Sequence, residues 1–412
     1  MDNQRSRQIV IAGAGVAGLT AALAFARRGY PVQVFEQAPS LEAVGAGLQL
    51  SPNATRILRD LGVLDRLLSA TVRPEAVVLR DARTLRQLAR VPLGQSGESR
   101  WGAPYLVAHR ADLQTALIAR VAEVPDIHLT LGARVEKIAT GGHGVTATVE
   151  IGGKTSEEHG SLLVGADGVW SSVRGLIDAK RMAAPRSRFS GELAWRTTVA
   201  ADSSAGQALA AIGTADCVTT FLHPGFHMVA YPVSKGDAFN LVAFTKGERI
   251  AEGWSGRADP GILGAAMRGT APALVSLVEQ AGQWLTWPLH TVEQKLPWTT
   301  PAGIALIGDA AHAMTPFAAQ GAAMAIEDAA TLATLVADFP ADPRQNLTAW
   351  ENVRRPRVEK VLKRGALNRL AWHARGPVAL ARNLVLATRP AEKLAADLDW
   401  LYGWEEPKVV SR

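Results

Sequence analysis

A single cysteine, Cys217, occurs among the 412 residues. That excludes an internal disulfide and any metal site built on clustered cysteines, and no metal is expected. The thiol is expected to act as a small buried apolar side chain. Long apolar runs are also missing: the fullest late stretch, "GPVALARNLVLAT" at 376–388, carries Arg382 and is too short to cross a bilayer. The start, "MDNQRSRQIVIAGAG", moves from a short polar lead into a strand with no apolar signal core. A cytoplasmic protein with no membrane span is expected. Charge of one sign is not concentrated either. The formal net charge is +6, yet the basic residues are scattered, without the basic stripe and interleaved aromatics that a nucleic-acid reader requires. A mild positive field of this kind suits small anions. Repeats and low-complexity tracts are absent, and 48% hydrophobic with 20% charged residues is an ordered globular composition.

What is present first is alternation. "QIVIAG" is a short β-branched run, "AGLTAALAFARRG" has helical apolar spacing with Gly29 as a stop, and "VQVFE" is a second strand. This βαβ pattern requires a parallel sheet covered by helices. "SPNATRILRDLG" predicts a helix with Ser51 as N-cap, Pro52 in its first position and Gly62 after its end. "HRADLQTALIARVAEV" predicts an amphipathic helix opening at Arg110. Short strands with glycine turns follow, up to the apolar strand "LLVGAD". From Met182 to about Pro297 the chain reads as β-rich, with Trp195, Phe221, Phe226, Tyr231, Phe239 and Phe244. From Thr331 onward it reads as mostly helical. Strand–loop–helix character returns at 162–174 and 304–330, so one unit built from discontinuous pieces is expected.

Three joints carry chemistry. "GAGVAG" places Gly13, Gly15 and Gly18 between a strand and a helix, where they allow a tight turn, close approach to a pyrophosphate and close helix–strand packing. The phosphate would rest on the helix N-terminus. Glu36 ends the next strand, where an acid accepts the hydroxyls of an adenosine ribose and disfavours a 2′-phosphate. The second joint, "LLVGADGVWSSVR", ends a strand on Asp167 and Gly168 and starts a helix near Ser171; Asp167 could simply cap that turn. The third, "IALIGDAAHAMTPFAAQGAAMAIEDAA", ends a strand on Gly308 and Asp309 and restarts a helix around Ala319–Gly321.

With "GAGLQLSPNA" (45–54), "HRADLQTAL" (109–117), "AWR" (194–196) and "HMVAYP" (227–232), these motifs resemble, in order and over nearly the whole chain, the single-component FAD-dependent aromatic hydroxylases. This is the group A flavoprotein monooxygenase family, and the details are most similar to its salicylate and 3-hydroxybenzoate hydroxylase branch. The resemblance implies an α/β fold: a discontinuous Rossmann-like FAD-binding domain (1–72, 101–180 and 298–335), a β-sheet substrate domain (73–100 and 181–297) and a C-terminal helical segment (336–412). It implies non-covalently bound FAD, NADH or NADPH as co-substrate, O2, a small aromatic substrate of the phenolic acid type, and a monomer or homodimer. It also implies hydroxylation through a flavin C4a-hydroperoxide.

The same resemblance assigns residues. Gly13, Gly15, Ala17, Gly18 and Glu36 would hold the adenosine and pyrophosphate, and Arg110 the phosphate or ribityl oxygens. Asp167 and Gly168 would serve FAD and the approach of the nicotinamide. Gly308 and Asp309 would meet the ribityl chain or pyrophosphate. Gly45–Leu50, with Gly47, would run beside the isoalloxazine. Backbone N–H groups around Gln320, Gly321 and Ala322 would face the negative charge of reduced flavin. Pro316 stiffens the wall on the oxygen-reacting side. His227 and Tyr231 lie four apart on one strand and so face one pocket; either is a candidate to generate phenolate. Gln320 is a candidate to orient substrate or water. His312 reads as structural, Arg196 as structural or a contact to flavin or substrate, and "RRPR" (354–357) as a solvated or ion-paired face rather than a phosphate patch. The cofactor motifs leave open epoxidation, urate-type hydroxylation and a flavin-carrying redox sensor. The "WxWxIP" of flavin halogenases is absent.

Overall fold

The structure is a computed structural model that describes residues 7–41, 47–141, 144–177, 187–248, 256–257, 260–337 and 343–407. The expectations for Gly45 and for Met182 lie outside the described residues. The first strand, Ile9–Ala12, is wholly buried and pairs in parallel with Leu162–Gly165 on one side and Val32–Glu36 on the other. Ile127–Leu131 extends the sheet beyond Val32–Glu36, and Ile304–Leu306 extends it beyond Leu162–Gly165, both in parallel. Thr299–Thr300 forms the antiparallel edge. Near-continuous apolar strands are what a parallel sheet covered on both faces demands. Helix Val16–Ala26 buries ten of its residues on this sheet, and helix Gly321–Ala337 packs beside it.

A three-stranded antiparallel sheet, 133–160, sits next to this unit. The second large sheet has eight strands. Gly256–Arg257, Leu285–Thr291, Arg188–Ala200, Ala238–Lys246, Phe226–Val233, Cys217–Leu222, Ala76–Asp81 and Gln87–Pro92 lie side by side in that order. Its one parallel junction joins Cys217–Leu222 to Ala76–Asp81. Period-two alternation gives this sheet two distinct faces. Trp195, Phe221, Met228, Phe239 and Leu241 point into a core of their own. The residues between them point the other way, toward the six-stranded sheet.

Helices Ser204–Ala211 and Pro272–Gln280 contribute Leu209, Leu274 and Leu277 to that outer core. These two, with Pro260–Ala266, are short helices set within a segment that is β-rich as expected. Each is under three turns, too short for its apolar period to stand out, although Ser203 does cap its helix through Gly206 N–H at 3.1 Å. Cys217 is buried, and burial, followed by the neighbouring Asp216, pushes its thiol up to about 11, as expected of an inert packing residue.

The last quarter is helical, led by the 26-residue helix Leu347–Trp372. Here "RRPR" is ion-paired, the second of the two expected forms, and its pairs make an interior clamp. Arg354 is fully buried and bonds Glu327 at 2.6 Å and Asp328 at 2.8 Å, and Arg357 bonds Glu327 at 2.8 Å. Arg355 pairs with Glu351 and reaches the carbonyl of Leu296. No described helix is long and apolar enough to cross a membrane.

Candidate active site

One elongated cavity of about 620 Å³ runs along the carboxyl ends of the parallel strands and over the inner face of the eight-stranded sheet. Open α/β sheets place ligands at those strand ends. Gly13, Glu36, Asp167 and Asp309, each at or just past the end of a different strand, all line it.

The glycines sort into two kinds. Gly13, at φ +102°, and Gly18 are packing glycines: a Cβ would stand 2.5 Å from the Ala166 carbonyl at the first and 1.9 Å from the Gly13 carbonyl at the second. Gly308 is similar, wedged between Ala325 and Ala17, and neither it nor Gly18 lines the cavity. Gly15, Gly168 and Gly321 differ, since a Cβ there would meet no protein atom within 4 Å and all three line the cavity. Their missing side chains leave room for something outside the protein. Ala17 and Ala322 border the same space.

Glu36 accepts hydrogen bonds from Ala14 N–H at 2.7 Å and Ala38 N–H at 2.9 Å, which fixes its carboxylate at the cavity edge. Asp167 uses Oδ2 for the N–H groups of Ser172 and Val173, while its Oδ1 is buried without a partner. It therefore caps a helix and still offers an acceptor. Ser171 also caps that helix, through Arg174 N–H at 2.9 Å. Arg110 opens helix Arg110–Val121 and lines the cavity, as does Arg134, which carried no signal in the sequence.

The loop after Ile304–Leu306 is held from behind. Asp328 accepts from Gly308 N–H at 2.9 Å and contacts His312 Nε2 at 2.5 Å, and Arg354 completes its shell. His312 is thus buried and structural. Pro316 and Phe317 reach the cavity, and Ala319 adopts a left-handed conformation (φ 52°) just before helix Gly321–Ala337 begins. Gln320 turns away from the cavity. It donates to Ser51 Oγ at 3.0 Å and its carbonyl meets Asn53 Nδ2 at 3.2 Å. Its side chain braces two helix starts, and its backbone alone borders the loop. Ser51 sits at the N-cap position as expected, but its hydroxyl turns to Asn53 at 2.6 Å rather than to the backbone.

The far half of the cavity rests on the eight-stranded sheet. Across the register, Arg196, Val242, Val229, Thr220 and Leu79 form one row of the floor, and Tyr231, Val218, Val77 and Val91 form part of the next. His227 and Phe244 face each other at one side, with rings stacked at 4.5 Å. A mostly valine floor with a few polar groups at its margin suits a flat aromatic ligand. Burial, with His373 beside it, holds the His227 imidazolium well below its ordinary range, so His227 is neutral. Burial also raises the Tyr231 phenol above its usual value, against the opposing effect of Arg196. Tyr231 therefore keeps its proton. Burial lowers the Arg196 pKa; its Nε is buried without a partner.

Two contributors were invisible in the sequence. Asn240 faces Tyr231 and accepts from Gly47 N–H at 2.9 Å, and a Cβ on Gly47 would stand 2.6 Å from the Tyr231 hydroxyl. The long C-terminal helix supplies a wall through Arg364, Asn368 and Trp372, spaced one turn apart; Asn368 also donates to the Phe317 carbonyl at 2.9 Å. Helical spacing gives such a stripe, but nothing local says which cavity it meets.

Open glycine cradles at two helix starts, an acid closing the adjoining strand and an orphaned carboxylate oxygen on Asp167 fit a dinucleotide lying along the strand ends. That arrangement defines an FAD- or NAD-type dinucleotide-binding oxidoreductase. Residues 6–365 match the family described as FAD binding domain, and the chain belongs to it. It is 35% identical over 414 residues to 3-amino-4-hydroxybenzoate 2-monooxygenase of Streptomyces platensis, covering 100% of this chain and 99% of that one. It is 31% identical to 3-hydroxybenzoate 6-hydroxylase of Polaromonas naphthalenivorans, again over 100% and 99%. A salicylate hydroxylase substrate complex has the same fold, with a TM-score of 0.80 at 23% identity over 97% of this chain and 95% of that one. The protein is an FAD-dependent aromatic monooxygenase, of a family that typically takes its electrons from NAD(P)H.

Proposed function

We propose that this cytoplasmic monooxygenase hydroxylates a phenolic or aminophenolic carboxylic acid, with the ring lying on the valine floor and its hydroxyl against His227. The observation that carries the reading is His227 itself, a buried neutral imidazole at the edge of an apolar floor that also holds Arg196. Both relatives named above act on hydroxybenzoates, which supports a substrate with these two groups. FAD would be held by Gly13, Gly15, Ala17, Glu36, Arg110, Asp167, Gly168, Asp309, Gly321 and Ala322, with Gly18 and Gly308 packing the joints behind them, and once reduced by NADH or NADPH it would supply the activated oxygen.

His227 accepts the substrate's hydroxyl proton, because phenolate is the better nucleophile toward electrophilic oxygen. Tyr231, which keeps its own proton, donates a hydrogen bond and orients the ring. Arg196 offers its guanidinium to the carboxylate. Pro316 and Phe317 roof the chamber and exclude water.

Anaerobic stopped-flow reduction across a panel of hydroxy- and amino-aromatic acids, followed by product analysis, tests the reading. A true substrate accelerates flavin bleaching and yields oxygenated product instead of peroxide. His227→Ala should retain FAD while coupling of NAD(P)H oxidation to product falls; wild-type coupling in that variant would remove His227 from the mechanism.

A further inference from the structure

We infer that His373 is a positioning residue that holds His227 as the tautomer protonated on Nδ1, so that the bare Nε2 of His227 faces the substrate hydroxyl. This rests on the reading of His227 as the base. His227 Nδ1 lies 3.1 Å from His373 Nε2, although the two are 146 residues apart in the chain. One imidazole must donate and the other accept across that contact. A substrate hydroxyl donating to Nε2 of His227 is compatible with only one polarity, in which His227 Nδ1–H donates and His373 Nε2 accepts. In the opposite polarity Nε2 of His227 carries the proton and cannot act as a base.

The fold fixes both partners. The His227 ring stacks on Phe244 at 4.5 Å and 14°, and Trp372 and Phe317 stand 4.8 and 5.0 Å from it. A ring gripped on several sides keeps Nδ1 toward His373. His373 closes the helix Leu347–Trp372 as its C-cap, with its N–H bonded to the Arg369 carbonyl at 3.2 Å.

The groups around the pair keep His373 an acceptor. Arg369 lies on its own helix, Arg375 follows it, Lys246 ends the strand Ala238–Lys246, and His223 follows Cys217–Leu222. Of these, Arg369 is also paired to Glu192 at 2.8 Å. On the cavity side His227 is met by neutral Phe244, Phe317 and Trp372. Burial, then Arg369, Lys246 and Arg375, bring His373 down to about 4. A neutral His373 keeps a lone pair for His227 near neutral pH, and it accepts the Nδ1–H bond more strongly once His227 has taken the substrate's proton onto Nε2. The proton count balances: O–H of the substrate breaks, N–H forms on Nε2, and the Nδ1 proton stays in the inter-histidine bond.

The test uses the FAD-loaded enzyme with 3-hydroxybenzoate as the probe. Histidine labelled with ¹⁵N reports the tautomer of each of the nine histidines, and His227→Gln identifies the His227 signals by their loss. Wild type should show His227 protonated on Nδ1. His373→Leu should lose that preference, and its coupling of NAD(P)H oxidation to product with 3-hydroxybenzoate should drop about tenfold, the low end of the ~10–100-fold cost of removing the partner that orients a metal-bound histidine. His373→Gln, which restores an acceptor, should recover most of both. FAD retention in each variant is the folding control. Unchanged tautomer and coupling in His373→Leu would overturn the inference while leaving His227 as base. Wild-type coupling in His227→Ala would instead overturn the base reading, and this inference with it.

Discussion

Replacing Asp328 by Asn separates the brace behind the FAD loop from the loop itself. Asp328 is fully buried and holds Gly308 N–H, His312 and Arg354 at 2.9, 2.5 and 2.8 Å. Asn keeps one acceptor oxygen and turns an NH2 group toward donors. It also leaves Glu327 as the only carboxylate for both Arg354 and Arg357. Breaking a buried pair by removing one partner typically costs about 3–5 kcal/mol. A second route gives the scale independently. Burial raises the Asp328 carboxyl, but His312, Arg354 and the Gly308 N–H outweigh it and bring it from 3.8 to about 2. That depression corresponds to about 2 kcal/mol of stability at neutral pH. The expected loss in Asp328→Asn is therefore about 2–4 kcal/mol, a large share of a typical ~5–15 kcal/mol total. Because the folded pKa lies below the unfolded one, the carboxylate's contribution is complete above about pH 4 and drains away as the pH falls toward 2. About half should be gone by pH 3. Urea unfolding of the holoenzyme at pH 7 and pH 3 reads this as a gap between wild type and variant that narrows in acid. A gap below about 0.5 kcal/mol at pH 7, or one that widens in acid, would refute the assignment of the clamp's energy to this carboxylate.

The glycine pair gives a sharper contrast. Gly18→Val should fail to fold, because its Cβ meets the Gly13 carbonyl at 1.9 Å; Gly15→Val should fold with wild-type circular dichroism yet purify without yellow colour, because its Cβ enters only cavity space. Asp309→Ala should lower FAD occupancy while its unfolding midpoint without cofactor stays near that of cofactor-free wild type, which fluorescence of released FAD and a thermal melt will report.

The cofactor half of the cavity was legible in the sequence for a physical reason. Most of its contacts sit on local strand–turn–helix joints, and the glycines at 13–18 and the acid at 36 fall within a single βαβ unit, whose spacing already encodes the geometry. His227 and Tyr231 were legible as neighbours because a strand's period of two is equally local. What stayed hidden arrives from far along the chain. Arg364, Asn368 and Trp372 reach the cavity, and His373 reaches His227 behind it, only through the docking of a helix whose own pattern is mixed and charged. Gln320 shows the opposite failure: its place in the loop invited a role toward substrate, but the neighbouring Ser51 and Asn53, some 270 residues earlier, take its amide. "RRPR" was legible as ion-paired but not as buried, since two of its charges are matched by Glu327 and Asp328 on a helix the sequence alone could not bring beside it.

The order of strands has a consequence during synthesis. Leu162–Gly165 waits for Ile304–Leu306 before one of its edges is covered, and Ala76–Asp81 waits for Cys217–Leu222. At about 5–20 residues per second, a nascent chain spends several seconds with each of those edges open. Non-local pairing of this kind slows folding and leaves strand edges exposed to other chains. The cavity is lined as far along the chain as Leu401 and Tyr402, so its walls are finished only when nearly all of the polypeptide has emerged; FAD is captured by a nearly complete chain, and cofactor shortage in the cell should appear as late misassembly rather than as early arrest.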